Sequence, residues 1–196
     1  MTTIALEAGK AESQSADIMQ RARPNLHQHS HEVQPYGRIV KLPIALSEKV
    51  CATSVELLNQ ILADTMTLRD MYKKHHWQIV GPTFFQLHLL YDKHYKEQVA
   101  LVDSIAERIQ LLGGVSIAMA ADVAETTMIP RPPRGREGAL AQSSPLLEAH
   151  AIIILATRSD AAKVNSLGDF GTNDLLATTP LALGNVGELR VLTELE

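Results

Sequence analysis

The chain has a single cysteine, Cys51, among its 196 residues. No internal disulfide can form, and a reducing compartment is the expectation. There is no apolar segment of the signal type near the N-terminus, which points the same way, to a cytoplasmic protein. Long apolar runs are missing too. The longest aliphatic run, Ile152 to Leu155, is far shorter than the roughly 20 residues a membrane span requires, so no membrane partner is expected. Positive charge is not in excess either: Lys and Arg total 18 against 22 Asp and Glu, a formal charge of −4. That balance argues against a chain whose main work is coating nucleic acid, because phosphates are neutralised by Lys and Arg.

What is present suits one domain with a substantial core plus a tail, with 45% hydrophobic residues as in ordinary globular proteins. Residues 1–42 show no sustained periodicity and are expected to form a flexible N-terminal tail, with residues 43–196 as the folded domain. The tail's Lys10, Arg21, Arg23, Arg38 and Lys41 are nearly balanced by Glu7, Glu12, Asp17 and Glu32, a poor composition for a DNA-binding arm. His27, His29 and His31 alternate, so an extended backbone would put three imidazoles on one side, a candidate accessory zinc or iron site.

Helical signals dominate the remainder. Apolar residues at three- and four-residue steps (Leu58, Ile61, Leu62, Leu68, Met71, Tyr72) predict a first long helix from about Ser47 to Trp77, with His76 at its end. Gly81-Pro82 breaks the chain, Thr83 is a suitable N-cap and Gly113-Gly114 a stop, so a second helix is predicted over 83–112. Its expected core stripe is Phe84, Leu87, Tyr91, Tyr95, Val102, Ile105, Ile109 and Leu112. Trp77 is expected as a core aromatic, His75 and His94 as surface groups or groups standing behind the ligands, and Arg108 as a salt-bridging surface residue. A helix-compatible piece around Ile117–Ala124 precedes a Pro- and Arg-rich loop carrying Arg131, Arg134 and Arg136. A third long helix is predicted over about 139–165 and a fourth from near Thr172, completing an all-α four-helix bundle. Pro180, Gly184 and Gly187 would weaken the last of these.

One set of residues carries chemistry. On an ideal helix with His88 at zero, Asp92 falls near 40°, Asp103 near 60° and Glu107 near 100°. All four share an arc beside the core stripe. His88 and Asp92 are one turn apart and could hold one ion, as could Asp103 and Glu107. The two pairs cannot meet within one chain, because eleven residues separate them by about 16 Å along the axis. A second copy, antiparallel across a two-fold axis, would lay one pair against the other and create two identical sites.

The run His76-Trp77, His88, Asp92, Asp103, Glu107 resembles the Dps family of ferritin-like mini-shell proteins at all five spacings, and GTNDLL at 171–176 is similar to a family segment. The resemblance implies a ferritin-like four-helix bundle with a short extra helix between the second and third long helices, and a shell of twelve subunits. It implies a ferroxidase: two Fe(II) per interface site oxidised together by hydrogen peroxide, with Fe(III) mineralised inside and the cell protected from oxidative damage. His76, His88 and Asp92 would then face Asp103 and Glu107 of the two-fold partner, Glu107 bridging the ions and Trp77 lying nearby to intercept stray oxidising equivalents. Asp174 matches an acidic pore position, with Asp169 beside it. Two other functions fit the same residues: a non-enzymatic, nucleoid-associated DNA-binding protein, or a redox-silent shell holding zinc.

Overall fold

In the computed structural model, residues 31–182 are described, and the chain divides into two compact units, 1–33 and 34–196. Among the described residues there are five helices and no strand. They are α1 (Glu48–Gln78), α2 (Phe84–Leu111), α3 (Ala120–Thr126), α4 (Ala139–Ser166) and α5 (Phe170–Ala182). The predicted boundaries of the three long helices agree with these to within one or two residues.

Helix α1 starts where Ser47 accepts a hydrogen bond from the Val50 amide at 3.3 Å, leaving one fewer orphan donor in the first turn. Thr83 precedes α2 but its hydroxyl makes no capping bond, so the Gly81-Pro82 break marks that start. At the other end of α2, Gly113 takes φ +78°, and a Cβ there would sit 2.0 Å from the Val40 carbonyl oxygen. The approach is used: the Val40 amide donates to Gly113 O at 2.8 Å and Gln34 Nε2 donates to the same oxygen at 2.9 Å. Residues 34–40 are thereby strapped across the end of the α1–α2 hairpin.

Helix α1 is the spine of the bundle. It packs on α2, α3 and α4, while α5 packs on α4 and α2, which closes a four-helix arrangement around Leu58, Ile61, Leu62, Leu68, Ile105, Ile109, Leu146 and Ile153. Burying each such side chain is worth about 1.5–3 kcal/mol. Three polar residues of α1 staple the connection that follows α2. Asn59 bonds Val115 O and the Ile117 amide, Gln60 bonds Thr126 O, and Asp64 accepts from the Thr127 hydroxyl and the Met128 amide. Helix α4 is long and apolar enough in composition to cross a bilayer. Its buried face nevertheless carries Gln142, Ser143, His150 and Thr157, all bonded within the bundle. It is a core helix of the fold. The backbone of α5 stays helical through Pro180; Gly184 and Gly187 lie outside the described residues, as do His27 and His29.

The core stripe of α2 departs from expectation. Its buried residues are Leu87, Tyr91, His94, Gln98, Leu101, Ile105 and Ile109. Choosing stripe members by apolarity picked Tyr95 and Val102, which are only half-buried, and Phe84, which is exposed. His75 and His94, expected at the surface or behind the ligands, are fully buried, which rules out the surface placement. They belong to a polar seam with Tyr72 and His150. Tyr72 Oη lies 2.5 Å from His150 Nε2 and 3.2 Å from His94 Nδ1, and His75 Nδ1 lies 3.2 Å from Gln142 Oε1. A buried polar group must find such partners or lose its hydration uncompensated.

Candidate metal centre

The end of α1 and the start of α2 meet in a pair of imidazoles. The His76 and His88 rings stack with centroids 3.7 Å apart. His76 Nδ1 lies 2.9 Å from His88 O, and His88 Nδ1 lies 3.0 Å from His76 O. A carbonyl can only accept, so each Nδ1 carries a proton, and the neutral form of either ring has its lone pair on Nε2. That is the tautomer a metal-ligating histidine needs, held by a backbone partner at the second nitrogen. The Phe84 ring stacks on the other side of His88, at 5.0 Å.

Asp92, one turn beyond His88, is half-buried. It is engaged by Lys73 Nζ at 3.0 Å from α1 and by Lys96 Nζ at 2.8 Å on its own helix. Hydrogen bonds from Lys96 and Lys73, reinforced by their charges, pull its carboxyl down to about 2, so it is fully ionised at neutral pH. Both lysines escaped the sequence reading. Lys96 follows Asp92 by four residues, a spacing that pairs charges on a helix. Lys73 lies three residues before His76, on the same side of α1.

Asp103 and Glu107 lie on the same side of α2 and are exposed. Eleven and fifteen residues beyond Asp92 place them about 16 and 22 Å farther along the axis. Accordingly, no three of the His, Cys, Asp and Glu side chains among the described residues of one chain converge on a point that could hold a metal. Trp77, expected in the core, is 70% exposed, and Phe85 and Leu89 on α2 are exposed as well. Large apolar side chains cluster in the open beside the histidine pair, which is how an interaction surface looks.

The remaining candidates part company. His31 is exposed. Asp174 is exposed on the second turn of α5. Asp169 is not an open carboxylate: it is 1% exposed, accepts from Arg108 at 2.6 Å and receives the Thr172 amide at 3.0 Å. Burial alone would raise its pKa, but hydrogen bonding from Thr172 and the Arg108 charge help to outweigh burial and lower it. The pore expectation for Asp169 gives way to a helix cap, because a side chain that satisfies the first turn of α5 and pairs with Arg108 is turned inward. Arg108, which also donates to the Thr172 hydroxyl at 2.9 Å, is the matching tie from α2.

A family model described as a ferritin-like domain matches residues 55–181. A Kitasatospora aureofaciens protein, named only for its position in the bpoA2 5′ region, is 48% identical over 148 residues, 76% of this chain and 99% of its own. The nutrient stress-induced DNA-binding protein of Nostoc sp. is 34% identical over 143 residues, 73% of this chain and 78% of its own. Among solved structures, DpsC from Streptomyces coelicolor superposes with a TM-score of 0.82 at 41% identity, covering 85% of this chain and 97% of that one. With the bundle, its short connecting helix and the ligand spacing all in agreement, the chain belongs to the Dps family of ferritin-like proteins.

Proposed function

We propose that this protein is a ferroxidase and iron store, oxidising Fe(II) with hydrogen peroxide at sites completed across a two-fold axis. Iron storage and the protection of DNA are the general business of its family. In the finer reading, His76, His88 and Asp92 of one subunit face Asp103 and Glu107 of the partner subunit, Glu107 spans the two ions and Trp77 lies beside them. Twelve subunits enclose the mineral, in the cytoplasm.

The observation that carries this is the histidine pair: two rings locked by reciprocal bonds to backbone carbonyls, each with Nε2 left for a ligand. Imidazole and carboxylate donors suit iron. Two Fe(II) held side by side release two electrons together. Peroxide accepts both with two protons and leaves as two waters, so no hydroxyl radical escapes. Asp92 needs no deprotonation to take part; an arriving dication exchanges with the Lys73 and Lys96 ammonium groups. Asp174, exposed near the start of α5, suits an entry ring that concentrates cations.

Anaerobic Fe(II) loading followed by a peroxide pulse tests the proposal. Rapid appearance of ferric absorbance at about two irons per peroxide is the expected result. Oxidation no faster than in buffer would sink it, and zinc retained at unit occupancy would identify a redox-silent site instead. A gel-shift series across salt checks DNA binding, which the formal charge of −4 disfavours.

A further inference from the structure

A second site stands on the flank of α1 turned away from His76. Between α1, α3 and the Pro-rich connection lies a cleft of about 800 Å³, within the roughly 300–1,000 Å³ typical of small-molecule sites. Its floor is apolar, formed by Met66, Met71, Val123, Ile129 and Pro132. Cations stand around it: Lys74, Arg131 and Arg134, with Arg69. The one carboxylate in the lining, Asp70, is taken by Arg69 at 2.8 Å. Lys74, Arg131 and Arg134 have no acidic partner among the described residues. Lys74 Nζ is shielded from solvent and makes no hydrogen bond, and an ammonium in that state is costly unless something anionic meets it.

The walls are built firmly. Asp64 ties Thr127 and Met128 to α1, Gln78 Nε2 reaches Arg134 O at 3.4 Å, and Pro132-Pro133 restrict the backbone between the two arginines. We infer that this cleft binds a phosphomonoester with an apolar or aromatic body. Guanidinium groups grip phosphate in a two-point fork, and three unpaired cations match a dianionic head. The apolar floor and the volume call for more than a bare inorganic anion. A nucleic-acid backbone would need charges laid out along a track, whereas these surround one concavity.

The test uses the assembled full chain, free of iron, in calorimetric titrations with 1-naphthyl phosphate, 1-naphthol and inorganic phosphate. Saturable binding of 1-naphthyl phosphate at one per chain is expected, at least about 10-fold tighter than either fragment. Arg131→Gln/Arg134→Gln and, separately, Lys74→Met should each weaken it at least about 10-fold, the scale of one charge-assisted contact. Both arginines are exposed, so circular dichroism and shell size should not change. Absence of binding, equal affinity for either fragment, or undiminished affinity in the double variant would overturn the inference. Duplex DNA held through the same arginines without monoester binding would overturn it too. Iron takes no part in these titrations, so their failure and failure of the ferroxidase proposal are separable.

Discussion

His75 and His76 are neighbours in sequence and opposites in fate. One turns into the bundle, fully buried, and joins a seam with Tyr72, Tyr91, His94 and His150. The other turns outward and stacks on His88 with a nitrogen to spare. A 100° step on the helix separates a residue that serves the fold from one that the proposed chemistry would use. Identity therefore says little about role here; what decides is whether the ring's second nitrogen faces protein or solvent.

The buried side of this comparison should break in acid. Burial, helped by the Lys74 charge and opposed by the bond to Gln142, lowers His75 to about 4. Burial and the nearby His94 lower His150 to about 4 as well. Above pH 6.5 both states are neutral and neither group costs anything. As pH falls from 6.5 towards 4, the unfolded chain takes up protons that the folded chain refuses, so stability is lost across that window, by roughly 3 kcal/mol per group. Denaturant midpoints measured from pH 7 to 4 should fall steeply, and His150→Gln should flatten the profile. An unchanged midpoint would mean the seam protonates freely.

Next in size is the centre of the seam. Tyr72 is fully buried, and Tyr72→Ala should cost about 3–5 kcal/mol by equilibrium unfolding. Tyr72→Phe, which removes only the hydroxyl and leaves two imidazole nitrogens wanting, should cost about 1–3 kcal/mol.

The outward side should respond in the reverse sense. His76→Ala and Asp92→Asn should lower the peroxide-driven oxidation rate roughly 100-fold, the upper range for disturbing a metal ligand's surroundings. Their unfolding midpoints should stay within about 1 kcal/mol of the parent, and size-exclusion profiles should be unaltered. His75→Ala, with stability lost and the rate per folded molecule kept, completes the contrast. The smallest effect is expected at Ser47→Ala, about 1 kcal/mol for a lost cap, with no change in oxidation.

The helices were legible because their punctuation is chemical: Ser47 caps, Gly81-Pro82 breaks, Gly113 takes a left-handed turn that a side chain would block. The shared side of His88, Asp92, Asp103 and Glu107 was legible because spacing on a helix is angle, and the same arithmetic keeps the two pairs apart within one chain. The seam was not legible. Apolarity predicts the core of α2, but its buried face runs through His94, which meets Tyr72 of α1, and through Gln98, polar residues that periodicity alone cannot flag. Trp77 misled for the opposite reason: a large aromatic suggests a core, whereas here it stands in the open beside the paired histidines. Asp169 looked like a free acid because its partner, Arg108, is 61 residues away in sequence.

The reciprocal bonds between His76 and His88 also bear on the order of events in biosynthesis. They join residues only twelve apart, within a hairpin whose second arm ends at Leu111, so this half of the site can form while α4 and α5 are still being translated. Neither helix of the hairpin can slip by a turn without breaking both bonds. In the proposed assembly, a subunit would thus reach its partners with the histidine geometry already set, and docking would have to supply carboxylates alone.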